Sequence, residues 1–192
     1  LHVALLSMGI KKDDEVIVPS FTFIATANSI LYAGAKPVFV DIDEKTYNID
    51  PAKIEEKITN KTKAIIPVHQ IGLPADLEEI NEIADKYNLK VLEDAACSLG
   101  SRYKGKMIGS INTACFSFHP RKSITTGEGG MIVTNDEEIE KLSKILRSHG
   151  ASVSDLSRHK SSNVVFEEYP YLGYNYRMTD IQASIGIEQF KK

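Results

Sequence analysis

Apolar positions along this chain fall into two alternating patterns. The runs Val16-Ile17-Val18, Val38-Phe39-Val40, Ala64-Ile65-Ile66-Pro67-Val68 and Lys90-Val91-Leu92 are too short for helices and read as buried strands. Between them, apolar residues recur at helical spacing. Phe23 to Ala33 is one such helix, with Ser20-Phe21-Thr22 to cap it and Gly34 to stop it. Asp50-Pro51 opens a second, running to about Ile58, and Asp76 a third, running through Tyr87 with Leu77, Ile80 and Ile83-Ala84 on one face. Leu1 to Met8 is a further helix, closed by Gly9. Strand alternating with helix predicts an α/β fold, a three-layer α/β/α arrangement around a mostly parallel sheet. Ligands in such sheets sit at the carboxyl ends of the strands.

After Asp94 the alternation loosens. Ser98 to Gly109 reads as a loop with a small hairpin around Lys104-Gly105-Lys106. Two strands follow, Ala114 to Phe118 and Gly130 to Thr134, and Lys122 falls in the turn between them. Asp136 caps a helix from Glu137 to Ser148 with Ile139, Leu142, Ile145 and Leu146 on one face. Gly150 to Tyr176 is polar and aromatic without periodicity, and loops of that length are usually functional. Thr179 or Asp180 starts a last helix, Ile181 to Phe190.

Composition narrows the function. A chain of 192 residues, 42% hydrophobic and 26% charged, can bury one substantial core. The formal net charge of -3 and the lack of a basic patch argue against a general nucleic-acid binder. Cys97 and Cys115 carry no CxxC spacing, so neither a metal site nor a disulfide framework is signalled, and a reducing cytoplasm is the expected home. No run is long and apolar enough to predict a membrane span.

Candidate chemistry centres on Lys122. A lysine held in a turn between strands can be desolvated, which frees its amine to attack a carbonyl; read alone, the residue fits an exposed loop lysine better, because most lysines are exposed. Its surroundings favour the chemical reading: Ser117, Ser123, Thr125 and Thr126 supply hydroxyls, and Gly127, Gly129 and Gly130 allow a ligand close to the backbone. Glu93-Asp94 ends a buried strand, so one of the two carboxylates belongs at the ligand end of the sheet, unless it merely caps a turn. An amine with a carboxylate is what pyridoxal phosphate requires, one to form the imine and one to keep the ring nitrogen protonated.

These residues stand within a longer series of ordered motifs: Asp14-Glu15-Val16-Ile17-Val18-Pro19-Ser20, Thr22-Phe23, Lys36-Pro37-Val38-Phe39-Val40-Asp41, Glu93-Asp94-Ala95-Ala96, Phe116-Ser117-Phe118-His119-Pro120, Lys122, Thr126-Gly127-Glu128-Gly129-Gly130 and Gly173-Tyr174-Asn175-Tyr176-Arg177-Met178-Thr179-Asp180. Over nearly its whole length the chain resembles the DegT/DnrJ/StrS sugar aminotransferases, fold type I enzymes that depend on pyridoxal 5′-phosphate. The resemblance implies that residues 1–192 are the large, cofactor-binding domain of such a transferase. It implies transfer of an amino group from an amino acid, glutamate as the expected donor, to a keto carbon of a nucleotide-linked sugar, in amino-sugar or surface polysaccharide biosynthesis. Lys122 would be the Schiff-base lysine and proton shuttle, and Asp94 the partner of the pyridine nitrogen. Phe23 would stack on the ring, although a core aromatic is an equal reading of that residue, and Ser117 would bind the phosphate. Asn175 and Arg177 would reach a neighbouring subunit's site, which makes a homodimer the expected active unit.

The resemblance also marks departures. Cys97 stands where the family often has Gln or His against the ring hydroxyl. The family's Gly-Thr phosphate-binding stretch is expected before Leu1 and its small C-terminal domain after the last helix, so the chain reads as an internal piece, inactive by itself. A sugar dehydratase of the same fold carries His where Lys122 stands, and a scaffold that had lost its chemistry would have no use for Lys122 and Asp94 together. No G-x-G-x-x-G follows a strand, which counts against a nicotinamide-binding domain. The loop from Arg158 to Glu168 is expected to bear on the choice of sugar.

Overall fold

The computed structural model describes residues 1–152 and 166–192. Among them a six-stranded sheet runs in the order β2-β1-β3-β4-β7-β8, formed by β1 (Glu15–Pro19), β2 (Lys36–Val40), β3 (Thr62–Ile65), β4 (Lys90–Asp94), β7 (Thr113–Ser117) and β8 (Gly130–Val133). Every neighbouring pair is parallel except β7 with β8. The helices are α1 (His2–Ser7), α2 (Ile24–Tyr32), α3 (Leu77–Tyr87), α4 (Glu137–Leu146) and α5 (Asp180–Gln189). None of the described helices is long and apolar enough to cross a membrane.

Period-two alternation builds the layers, because successive side chains of a strand point to opposite faces. Val16, Val18, Ala64, Ile66, Leu92 and Cys115 point to one face, where they pack on α1, α2 and α4 through Leu5, Ile30 and Ile139. Ile17, Ile65 and Val91 point to the other and meet α3 through Ile80 and Ala84. A smaller cluster of Leu77, Ala95, Ile108 and Ala114 continues that second face towards β7. The predicted three-layer α/β/α arrangement is therefore present.

Several local expectations change. The helix from Asp50 to Ile58 is two 3-10 turns, Pro51–Lys53 and Glu55–Lys57. Asp50 caps the first by accepting from Ala52 N, and the fully buried Ile54 separates them. Phe23, not Ser20 or Thr22, is the N-cap of α2, and it makes no side-chain cap. Asp76 sits at the N-cap of α3 but gives its carboxylate to the Tyr103 hydroxyl instead of the helix. The strand expected over Ala64–Val68 ends at Ile65, although Val68 still bridges to Asp94.

Other expectations hold. The hairpin is β5 (Arg102–Tyr103) against β6 (Lys106–Met107), and Lys104 and Gly105 both take positive φ, 46° and 84°, as a tight two-residue turn requires. Asp136 caps α4 at the amides of Glu138 and Ile139, and Thr179 forms a capping box with Gln182 at α5. Residues 153–165 lie outside the described residues, and most of the loop expected to bear on sugar choice falls there.

Candidate active site

Parallel strands carry their carboxyl ends to one edge of the sheet, and a cavity of about 660 Å³ opens there. Phe23, Thr26, Asp94, Cys97, Ser117 and Lys122 line it. Alternation along β4 decides which carboxylate reaches it. Leu92 belongs to the face covered by α2, so Asp94, two positions on, shares that face, while Glu93 turns to the other. Ser117 follows Cys115 on β7 by the same rule and comes to the cavity wall.

Asp94 is fixed from two sides. Its Oδ2 accepts from Thr26 Oγ1 at 2.7 Å and its Oδ1 from the amide of Ala96 at 3.2 Å. Thr26 is itself buried, and its hydroxyl lies 2.8 Å from that of Thr22. Sequence reasoning missed Thr26, because a threonine inside a helical run carries no mark of a partner that lies 68 positions away.

Glu93 serves the interior. Fully buried, its carboxylate accepts from His69 Nε2 at 3.0 Å, Gly109 N at 3.2 Å and Asn112 Nδ2 at 3.1 Å. His69 accepts from the amide of Ala75 at Nδ1, which leaves its proton on Nε2, facing Glu93. The His69 backbone amide donates to the carbonyl of Asp94 at 3.1 Å, so this buried network also anchors the end of β4. His69, a residue given no role by its sequence context, contributes to the cavity wall.

Lys122 is half-buried in the turn between β7 and β8. Its amide donates to the carbonyl of His119, and its Nζ lies 3.1 Å from Cys97 Sγ. Phe23 is 74% exposed at the cavity mouth, so it is not a core aromatic. Ser117 Oγ accepts from His119 N at 3.3 Å and keeps its own proton to donate. Cys115 also touches the cavity, and burial pushes its thiol pKa up.

Two other hydroxyls of the turn are committed elsewhere, and Ser123 does not line the cavity. Thr125 donates to the carbonyl of Phe118 and Thr126 to that of Glu128, so neither lines the cavity as a free donor. Gly129 packs against the same Thr126: a Cβ there would stand 2.5 Å from Thr126 Oγ1. Gly129 and Gly130 nevertheless line the cavity, whereas Gly127 does not.

Asn175 and Arg177 do not line the cavity that holds Lys122. Asn175 bridges to Ser148, and Arg177 Nη1 donates to Ser148 Oγ at 3.1 Å, which pins their segment to the end of α4. Arg177 instead lines an adjoining cavity of about 800 Å³ with His2, Tyr32 and Tyr176.

The model of the DegT/DnrJ/EryC1/StrS aminotransferase family matches residues 1–192, the whole chain. The chain belongs to that family. As a member of the DegT/DnrJ/EryC1/StrS aminotransferases it is 54% identical to an uncharacterized protein of Methanocaldococcus jannaschii and 50% identical to the GDP-perosamine synthase of Caulobacter vibrioides. Both alignments take in 100% of this chain, and respectively 50% and 49% of the relative. The chain thus spans about half the length of the curated relatives it matches. Among solved structures, the aminotransferase from Psychrobacter cryohalolentis superposes with a TM-score of 0.92 at 42% identity, over 99% of this chain and 49% of that one. S. venezuelae DesV, crystallised in complex with a ketimine intermediate, superposes with a TM-score of 0.90 at 36% identity, over 99% and 48%.

Proposed function

We propose that the complete protein is a pyridoxal phosphate-dependent aminotransferase that moves an amino group from an amino acid to a keto carbon of a nucleotide-linked sugar. One observation carries the reading: Lys122 and Asp94 line a single cavity at the carboxyl edge of the sheet. The donor set fits the cofactor, with an amine, a carboxylate held by Thr26, an exposed aromatic ring and a free hydroxyl around one space. The GDP-perosamine synthase relatives support a nucleotide-linked sugar as the acceptor, and glutamate is the donor we infer.

Pyridoxal phosphate, when bound, supplies an aldehyde that joins amines and a ring that takes up the electron pair left by a departing α-proton. Asp94 holds the proton of the ring nitrogen, and Thr26 keeps its carboxylate aimed. Phe23 covers a ring face and excludes water from it. Ser117 donates its hydroxyl to the phosphate. Lys122 would take the α-proton from the amino donor and return a proton two atoms away, at the cofactor carbon that joins the amine; with the keto sugar it would run the same transfers in reverse. Asn175 and Arg177, kept out of their own cavity by Ser148, serve the site of a neighbouring subunit in a homodimer.

The test is an assay of the complete protein with glutamate against a panel of nucleotide-linked keto sugars. Formation of 2-oxoglutarate that depends on one sugar supports the reading. A protein that stays colourless with added pyridoxal phosphate and transfers nothing would refute it.

A further inference from the structure

Two nucleophiles face each other in the wall of the cavity. Lys122 Nζ and Cys97 Sγ are in hydrogen-bond contact at 3.1 Å, although the residues are 25 positions apart. Cys97 is exposed, so a small solute reaches its sulfur, whereas Cys115 is buried. The transamination proposed above gives the Cys97 thiol nothing to do.

We propose that Cys97 and Lys122 are an oxidation-sensitive pair, which hydrogen peroxide converts into a covalent sulfur–nitrogen cross-link. In the first step the Cys97 sulfur attacks one peroxide oxygen. A sulfur–oxygen bond forms, the oxygen–oxygen bond breaks, and the second oxygen leaves as water with the thiol proton. Sulfur has lost two electrons, peroxide has gained them, and Cys97 is a sulfenic acid. In the second step the neutral Lys122 amine attacks that sulfur. A nitrogen–sulfur bond forms, the sulfur–oxygen bond breaks, and the hydroxyl leaves as a second water with a proton from the nitrogen. Sulfenic acids condense in this way with thiols and with nitrogen nucleophiles, and the nearest of these is already in contact. Holding the two groups together makes the second step effectively unimolecular, so it outruns further oxidation to sulfinic acid. Two equivalents of a thiol reductant reverse the change, releasing thiol and amine and becoming a disulfide.

The cross-link depends on the pair alone. Its consequence rests on the role assigned to Lys122: an amine bound to sulfur cannot join a carbonyl, so oxidation switches the site off, and cofactor already joined to the amine prevents the cross-link.

The experiment treats the full-length protein with hydrogen peroxide, with and without prior loading with pyridoxal phosphate, and maps the digested peptides by mass spectrometry. The expected product joins the Cys97 peptide to the Lys122 peptide and is lighter than their sum by the mass of two hydrogen atoms. Dithiothreitol removes it, Cys97→Ser never forms it, and prior loading with pyridoxal phosphate suppresses it. Cys97 recovered as sulfinic acid, as a mixed disulfide or unoxidised, with Lys122 free in each case, overturns the proposal. A cross-link that forms equally fast in the loaded protein keeps the pair but removes Lys122 as the site of cofactor attachment, so the two failures are distinct.

Discussion

Thr26 donates its hydroxyl to Asp94 across 2.7 Å, from α2 to the last residue of β4. Both are buried, at 1% and 6% exposure, and the Thr26 hydroxyl has no bulk water as a substitute partner. Thr26→Val keeps the shape and removes the donor. It should lower stability by about 1–3 kcal/mol, read as a fall in the urea midpoint, with Thr26→Ser recovering most of the loss. An unchanged midpoint would show that the Ala96 amide alone suffices to hold Asp94.

Lys122→Ala should reduce transamination by the complete protein about a thousandfold or more, since it removes both the attachment point and the proton carrier. Pyridoxamine phosphate, which needs no attachment, should still bind, as followed by fluorescence titration. Borohydride treatment of the wild type with pyridoxal phosphate should bleach the colour and leave the label on Lys122. Turnover retained in Lys122→Ala rules out the role.

Asp94→Asn keeps the volume and one oxygen to accept from Thr26, but it removes the charge and sets an amide NH2 against the Ala96 N–H. It should cost about 1–3 kcal/mol of stability, while turnover of the folded variant falls about a hundredfold or more, because a neutral amide does not hold a proton on the ring nitrogen. Circular dichroism on heating, and steady-state kinetics at a temperature where the variant stays folded, separate the two effects. Near wild-type turnover of the folded variant would mean that Asp94 is chiefly structural.

Removing Glu93 should damage the fold before the chemistry. Glu93→Ala leaves His69 Nε2, the Gly109 amide and Asn112 Nδ2 without their buried acceptor, a loss of about 3 kcal/mol or more. Glu93→Gln retains one acceptor oxygen and should cost clearly less. Equal urea midpoints for the two variants would contradict this account of the network.

Acid should loosen the start of β1. The Thr59 hydroxyl, 2.6 Å from Glu15 Oε2, holds the Glu15 carboxyl below the usual carboxylate range, and Lys36 adds to the effect. A carboxyl whose pKa is lower folded than unfolded stabilises the fold above its unfolded pKa, about 4.3, and that contribution fades as pH falls through the lower, folded value. Glu15→Gln should therefore flatten the loss of stability below about pH 5. Denaturation midpoints collected from neutral to acid pH measure it, and superimposable curves for the two proteins would exclude the linkage.

Much of this was legible because burial writes itself into spacing. The strands at Val16–Val18 and Val91–Leu92 and the apolar faces of α3 and α4 are periodic features, and periodicity survives in one dimension. The position of Lys122 between two strands was legible for the same reason. What the sequence left open was how neighbouring polar groups divide their work. Glu93 and Asp94 look alike in one dimension and differ only in the face they take. Asp76 reads as a helix cap, yet the Tyr103 hydroxyl, from the hairpin, is its partner. Thr125 and Thr126 read as ligand donors, but nearby carbonyls claim them first. The contact of Lys122 with Cys97 and that of Thr26 with Asp94 join residues 25 and 68 positions apart, and no local rule connects them.

The opposite facing of Glu93 and Asp94 limits how the gene can change in length. Adding one codon between Lys90 and Glu93 would turn both acids over, aiming the interior acid at the cavity and driving the cavity acid to the site of Ala95, among apolar side chains. Substitutions in this stretch can be graded, but such a shift is all or nothing. Variation in length is tolerable where no pleat is counted, as at the exposed tip around Lys104 and Gly105.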